Sequence, residues 1–134
     1  MYSRRYKTIP LPIHPTLAPS DMSIVVPTID TESTFTECVR LWLKSNPREI
    51  IIVTVQRYKT HVEQLVSSVL TDKIIILIAP MANKRQQIAI GVKAAKGKII
   101  ALVDDDAYWG AATAPYLLAP FENEAVGSVA GLQR

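Results

Sequence analysis

The sequence predicts an α/β fold, a mainly parallel sheet flanked by helices, and three observations carry that prediction. Short β-branched runs alternate with segments of helical periodicity, the order that βαβ units produce. The runs are nearly continuous in Ile, Val and Leu, as in strands covered on both faces. The 134 residues, 49% hydrophobic and 20% charged, can bury one core but not two, and that composition excludes disordered and collagenous chains.

Residues 1–20 read as a proline-rich leader. Pro10, Pro12, Pro15 and Pro19 hold the backbone extended and remove amide donors, which bars a helix or central strand. His14 lies in this stretch with no second His or Cys beside it to complete a metal site, so a packing or solvent-facing role is expected. Residues 21–134 then form the folded unit. Its first strand is expected over 23–27, its second over 50–55, its third over 73–78 and its fourth over 98–103, with a last short strand beginning near Val126.

Between the first two strands Phe35, Cys38, Val39 and Trp42 recur at helical spacing, behind a capping box of Thr34 and Glu37. Val62, Leu65, Val66, Val69 and Leu70 repeat the pattern before the third strand, behind Thr60 and Glu63. A third helix is expected over 83–96, with Gly97 as the left-handed stop, and a short fourth one after Thr113. Cys38 is the only cysteine, which excludes an internal disulfide and a multi-cysteine zinc site. Its place on an apolar helix face predicts a buried thiol.

Net charge is +3, from 15 basic and 12 acidic residues scattered along the chain, and this does not make the clustered basic patch that nucleic acid requires. No apolar run approaches the ~18 residues that span a bilayer, so no transmembrane helix is expected within this segment. Arg4, Arg5 and Lys7 lead into prolines and not into an apolar core, unlike a secretory signal.

Three short blocks carry the chemistry. In LVDDDAYW, Asp104, Asp105 and Asp106 follow directly on an apolar strand, at the carboxyl end where open α/β sheets bind ligands. Adjacent carboxylates repel one another unless a divalent cation or basic groups neutralise them. Asp104 and Asp106 are the candidate metal pair, with Asp105 nearer a sugar or ribose; an Asp-rich run is equally a good turn. In NKRQQ, Lys84 and Arg85 open the third helix, whose free N–H groups favour a diphosphate, or are simply a solvated basic first turn. In VPTID, Pro27, Thr28 and Asp30 leave the first strand beside the same crevice, or simply cap the next helix. Tyr108 and Trp109 could stack on a sugar or belong to the core.

Taken in order, SIVVPTID, EIIIV and NKRQQIAIGVKAAKGKIIALVDDDAYW resemble the nucleotide-sugar-binding half of a family 2 glycosyltransferase. The resemblance covers about residues 21–134 and is closest to fungal-type membrane polysaccharide synthases related to hyaluronan, chitin and cellulose synthases. Even the leader is similar to their juxtamembrane stretch. The resemblance implies a Rossmann-like GT-A fold, incomplete at its C-terminus, that binds a nucleoside-diphosphate sugar, usually a UDP-sugar. It implies Mg²⁺ or Mn²⁺ on Asp104 and Asp106, with Pro27, Thr28, Asp30, Lys84 and Arg85 on the donor, and inverting transfer to a carbohydrate acceptor.

It further implies membrane association at the cytoplasmic face, through segments outside this one. Where the family places an acidic residue after its second strand, this chain has Thr54, Val55 and Gln56. The acceptor-side base, the Gln-x-x-Arg-Trp segment and the membrane helices are expected beyond Arg134, so the segment by itself is expected to be inactive. The alternative is a catalytically incomplete nucleotide-binding or protein-interaction module. A phospho-acceptor receiver domain fits less well, since it needs an acidic pair after the first strand and VPTID supplies only Asp30.

Overall fold

A computed structural model describes residues 16–110 and 113–123. His14, most of the leader and the expected strand near Val126 lie outside the described residues. Four strands, β1 (Met22–Pro27), β2 (Glu49–Val55), β3 (Ile74–Ala79) and β4 (Ile99–Leu102), pair in the order β3-β2-β1-β4, all in parallel. The helices α1 (Thr34–Lys44), α2 (Lys59–Val66) and α3 (Lys84–Ala94) fill the three connections, and α4 (Thr113–Leu118) follows β4. The order reverses at β1: the chain winds outward through β2 to β3, then returns along α3 to pair β4 on the other side of β1. That reversal opens a crevice between β1 and β4 at their carboxyl ends, the switch point where ligands of open α/β sheets bind.

The sheet separates two cores, because side chains alternate along each strand. Ile24, Val26, Ile50 and Ile52 pack with Phe35, Cys38, Val39 and Trp42 of α1, with Val62 of α2, and with Ala114 and Leu118 of α4. Trp42 is fully buried and meets Phe35 edge to face, with ring centroids 5.9 Å apart. On the other face Val25, Ile51 and Val53 lie under α3. Helix α3 has little apolar surface to offer and instead comes close: a Cβ at Gly91 would stand 2.4 Å from Val25 Cγ1. The central strands β1 and β2 are almost wholly buried, whereas β3 and β4, at the edges, are covered only in part.

The helix ends differ from the sequence expectation. Ser33, not Thr34, is the N-cap of α1; no side chain caps it, and Glu37 pairs with Arg40 at 2.8 Å. A 3₁₀ turn over Gln56–Tyr58 starts the second helix early, so Thr60 lies inside α2 and caps nothing. α2 ends at Val66, which leaves Leu70 95% exposed instead of on the apolar face. α3 ends at Ala94, with Ala95 extended, and Gly97 is not left-handed. Gly97 is needed for space: a Cβ there would lie 2.6 Å from Ser23 Oγ and 2.7 Å from Asp21 O. The one left-handed non-glycine among the described residues is Asn46 (φ 58°), just past α1 and before Pro47, as helix C-termini favour. Among the described residues no helix is long and apolar enough to cross a membrane.

Candidate functional site

An open cleft of about 340 Å³ sits at the carboxyl end of the sheet, lined by Pro27, Thr28, Ile29, Lys84, Gln87, Asp104, Asp105 and Asp106. Three chain segments some twenty to sixty residues apart are brought together there because β1 and β4 are neighbours and α3 crosses behind them. Pairing continues past the strands: Thr28 N–H donates to Val53 O at 3.0 Å and Val103 N–H to Val25 O at 3.0 Å. The exit loop of β1 and the Asp run after β4 therefore leave the sheet at fixed levels.

Of the candidate residues, Pro27, Thr28, Lys84 and the three aspartates line this cleft. Asp30 and Arg85 are exposed and are not among its lining residues. Thr28 is buried and its Oγ1 donates to Asp105 Oδ2 at 2.7 Å, so the middle carboxylate faces the β1 loop. Lys84 Nζ reaches Asp104 Oδ1 at 3.2 Å, with both side chains more than half exposed. An ion pair so exposed contributes about 0–1 kcal/mol, little enough for Lys84 to exchange partners when an anion arrives. Trp109 is 8% exposed and belongs to the core, while Tyr108 is 63% exposed.

Three supporting contacts were not read from the sequence. Trp42 Nε1 donates to Ala107 O at 2.9 Å and so fastens the loop that follows the aspartates. His61 Nε2 stands 2.6 Å from Thr31 O; since a carbonyl only accepts, this nitrogen carries the proton and holds the β1 loop. Gln87, 1% exposed in the first turn of α3, donates from Nε2 to Thr28 O at 3.0 Å and to Val53 O at 2.8 Å. Only the spacing of Gln87 four residues before a glycine hinted at a face pressed on the sheet. Burial, then the nearby charges of Asp106 and Asp105, push the Cys38 thiol above its usual range, which keeps it neutral and unreactive.

Among the described residues no three His, Cys, Asp or Glu side chains converge on one point, so the cleft is not a closed metal cage. Mg²⁺, however, is commonly held by one or two carboxylates together with substrate phosphates. An open carboxylate pair beside a lysine and a helix N-terminus fits a cation that arrives with a diphosphate.

A family described as "Glycosyltransferase like family 2" matches residues 19–134. The chain is 60% identical over 136 residues to "NDP-glycosyltransferase ltbB" of Aspergillus luteorubrus, a match covering 98% of this chain and 33% of that protein. It is 36% identical over 134 residues to a "Type 2 glycosyltransferase" of Zymoseptoria tritici, covering 96% of this chain and 28% of the relative. A protein of the same name from Gibberella zeae is 33% identical over 132 residues, covering 96% and 25%. The chain thus spans about a third or less of the length of these curated relatives.

Proposed function

The chain belongs to glycosyltransferase family 2, and on that premise we propose that its cleft is the donor site for a nucleoside-diphosphate sugar, with UDP as the nucleotide. The observation that carries this reading is the convergence of Thr28, Lys84 and Asp104–Asp106 at the β1–β4 switch point. Asp104 and Asp106 would hold Mg²⁺ or Mn²⁺ against the diphosphate; the cation supplies neutralisation of the charge that grows on the departing nucleoside diphosphate.

Lys84 turns from Asp104 to the phosphates and adds a second positive charge there. Asp105, oriented by Thr28, faces the ribose or the sugar, and Pro27 closes the cleft on the nucleoside side. Arg85 and Asp30, exposed at the start of α3 and in the β1 exit loop, meet the donor only at its periphery. An acceptor hydroxyl, giving its proton to a base supplied from outside this segment, would attack the anomeric carbon from the face opposite the nucleoside diphosphate, break the bond to that leaving group and invert the carbon. We assign acceptor choice and membrane association to segments outside this one; the relative from Aspergillus luteorubrus is about three times this length.

Binding measured for UDP, GDP and ADP, each with and without Mn²⁺, tests this reading. UDP is expected to bind tightest and only with the metal, and Mn²⁺ alone is expected to bind weakly, because two carboxylates without a phosphate leave its coordination incomplete. Metal-independent binding, or equal affinity for all three nucleotides, would count against it.

A further inference from the structure

Gln87 is the most thoroughly buried polar side chain lining the cleft, and its hydrogen bonds are unequal. Its Nε2 spans two carbonyls, Thr28 O at the exit of β1 and Val53 O in β2. Among the described residues its Oε1 is buried with no partner. A buried acceptor left unpaired is destabilising and calls for a reason. A methionine of similar volume would fill the same space without that cost, so what the amide adds is its pair of donors.

Those donors converge on Thr28, one on its own carbonyl and one on the Val53 carbonyl that also holds its N–H. Thr28 N–H is already held by Val53 O, and Gln87 holds its carbonyl, so both backbone polar atoms of Thr28 are fixed. The Thr28 hydroxyl is thereby aimed across the switch point at Asp105 Oδ2, 2.7 Å away. Gln87 reaches this place because Gly91, one turn later on the same helix face, lets α3 rest on Val25 and Val53. We propose that Gln87 is a positioning residue that sets the β1 exit loop and, through the Thr28 hydroxyl, locks Asp105 of the carboxylate run in place. Its effect on nucleotide affinity rests on the donor-site reading; its effect on the loops does not.

Hydrogen–deuterium exchange on the ligand-free full chain separates the two. Gln87→Met is expected to raise exchange roughly 10-fold over residues 28–31 and 104–107, with the sheet still protected and the melting temperature close to that of the wild type, since the unpaired Oε1 goes while the Thr28 carbonyl loses its donor. In a Thr28→Val background, Gln87→Met should add nothing at 104–107, because the route through the hydroxyl is already cut. Unchanged exchange in Gln87→Met, or additive effects in the double variant, overturns the proposal.

Should Gln87→Met fail to fold, the Gln87 side-chain amide protons of the wild type decide by NMR. Both are expected to exchange slowly, and fast exchange overturns the proposal. Affinity for UDP with Mn²⁺ is then expected to fall about 10-fold in the methionine variant. Faster loop exchange in Gln87→Met, together with a wild type that binds no UDP, would sink the donor reading and leave the positioning role standing.

Discussion

The two ends of the sheet use carboxylates in opposite ways. At the amino end Glu49 is 5% exposed, and its Oε2 accepts from Ser23 Oγ at 2.6 Å and from Lys96 N–H at 2.7 Å. Ser23 Oγ in turn accepts from Gly97 N–H at 2.8 Å, and the close approach at Gly97 leaves no room for a side chain. At the carboxyl end Asp104, Asp105 and Asp106 stand together and, among the described residues, only the Lys84 and Thr28 side chains bond to theirs across the cleft. Charge at the first end is consumed in closing the fold. Charge at the second is left open to a ligand, and this contrast separates a structural carboxylate from a binding one more clearly than residue type does.

The comparison can be broken or sharpened by substitution. The largest expected effect on stability lies at the closed end: Glu49→Ala strands the Ser23 hydroxyl and the Lys96 amide and should cost about 2–4 kcal/mol in denaturant unfolding. Nucleotide affinity of the folded fraction should not change. Gly97→Ala should cost about 1–3 kcal/mol by forcing the α3–β4 connection off Ser23 and Asp21. A neutral outcome for either would mean that this end is not the closed junction described.

At the open end Lys84→Ala should weaken UDP binding by about 10-fold, or ~1.4 kcal/mol, while stability moves by less than ~0.5 kcal/mol. An unchanged affinity would show that Lys84 serves Asp104 alone. The smallest effect concerns Glu122, whose carboxylate accepts from the backbone of Thr16 and Leu17 and from the Thr16 hydroxyl. Those bonds, the Thr16 hydroxyl foremost, hold its pKa below the ordinary value of 4.5. Because the folded value is the lower one, this tie is fully present above pH ~4.5 and is lost as pH falls through the folded value. Protection over residues 16–21, relative to intrinsic amide exchange at each pH, should therefore fall in acid before the sheet loosens, and Glu122→Gln should flatten that response.

Much of this was legible from residue order. Buried parallel strands leave continuous Ile and Val runs, so all four strands and their sequence with the helices could be read, and a triple aspartate after an apolar run marks a strand's carboxyl end. Helix starts were less legible, because Thr34–Glu37 and Thr60–Glu63 have capping-box spacing while the actual first turns begin elsewhere. Gly97 looked like a helix stop when the constraint is a strand passing behind it, a contact between residues 74 positions apart. Gln87 and Glu49 were invisible for a related reason. A polar side chain in a polar-looking helix start or at a strand's first residue reads as solvated until the tertiary neighbours that bury it are known.

The central claim, that the open carboxylates hold a cation on a nucleotide, is tested most directly by calorimetric titration of UDP in the presence and absence of Mn²⁺. The wild type is compared with Asp104→Asn combined with Asp106→Asn. Metal-dependent binding in the wild type is expected to weaken at least ~100-fold in the double variant, about 2.7 kcal/mol, with a melting temperature that holds or rises as like-charge repulsion is removed. Binding that ignores the metal, or survives both substitutions unchanged, would contradict the account.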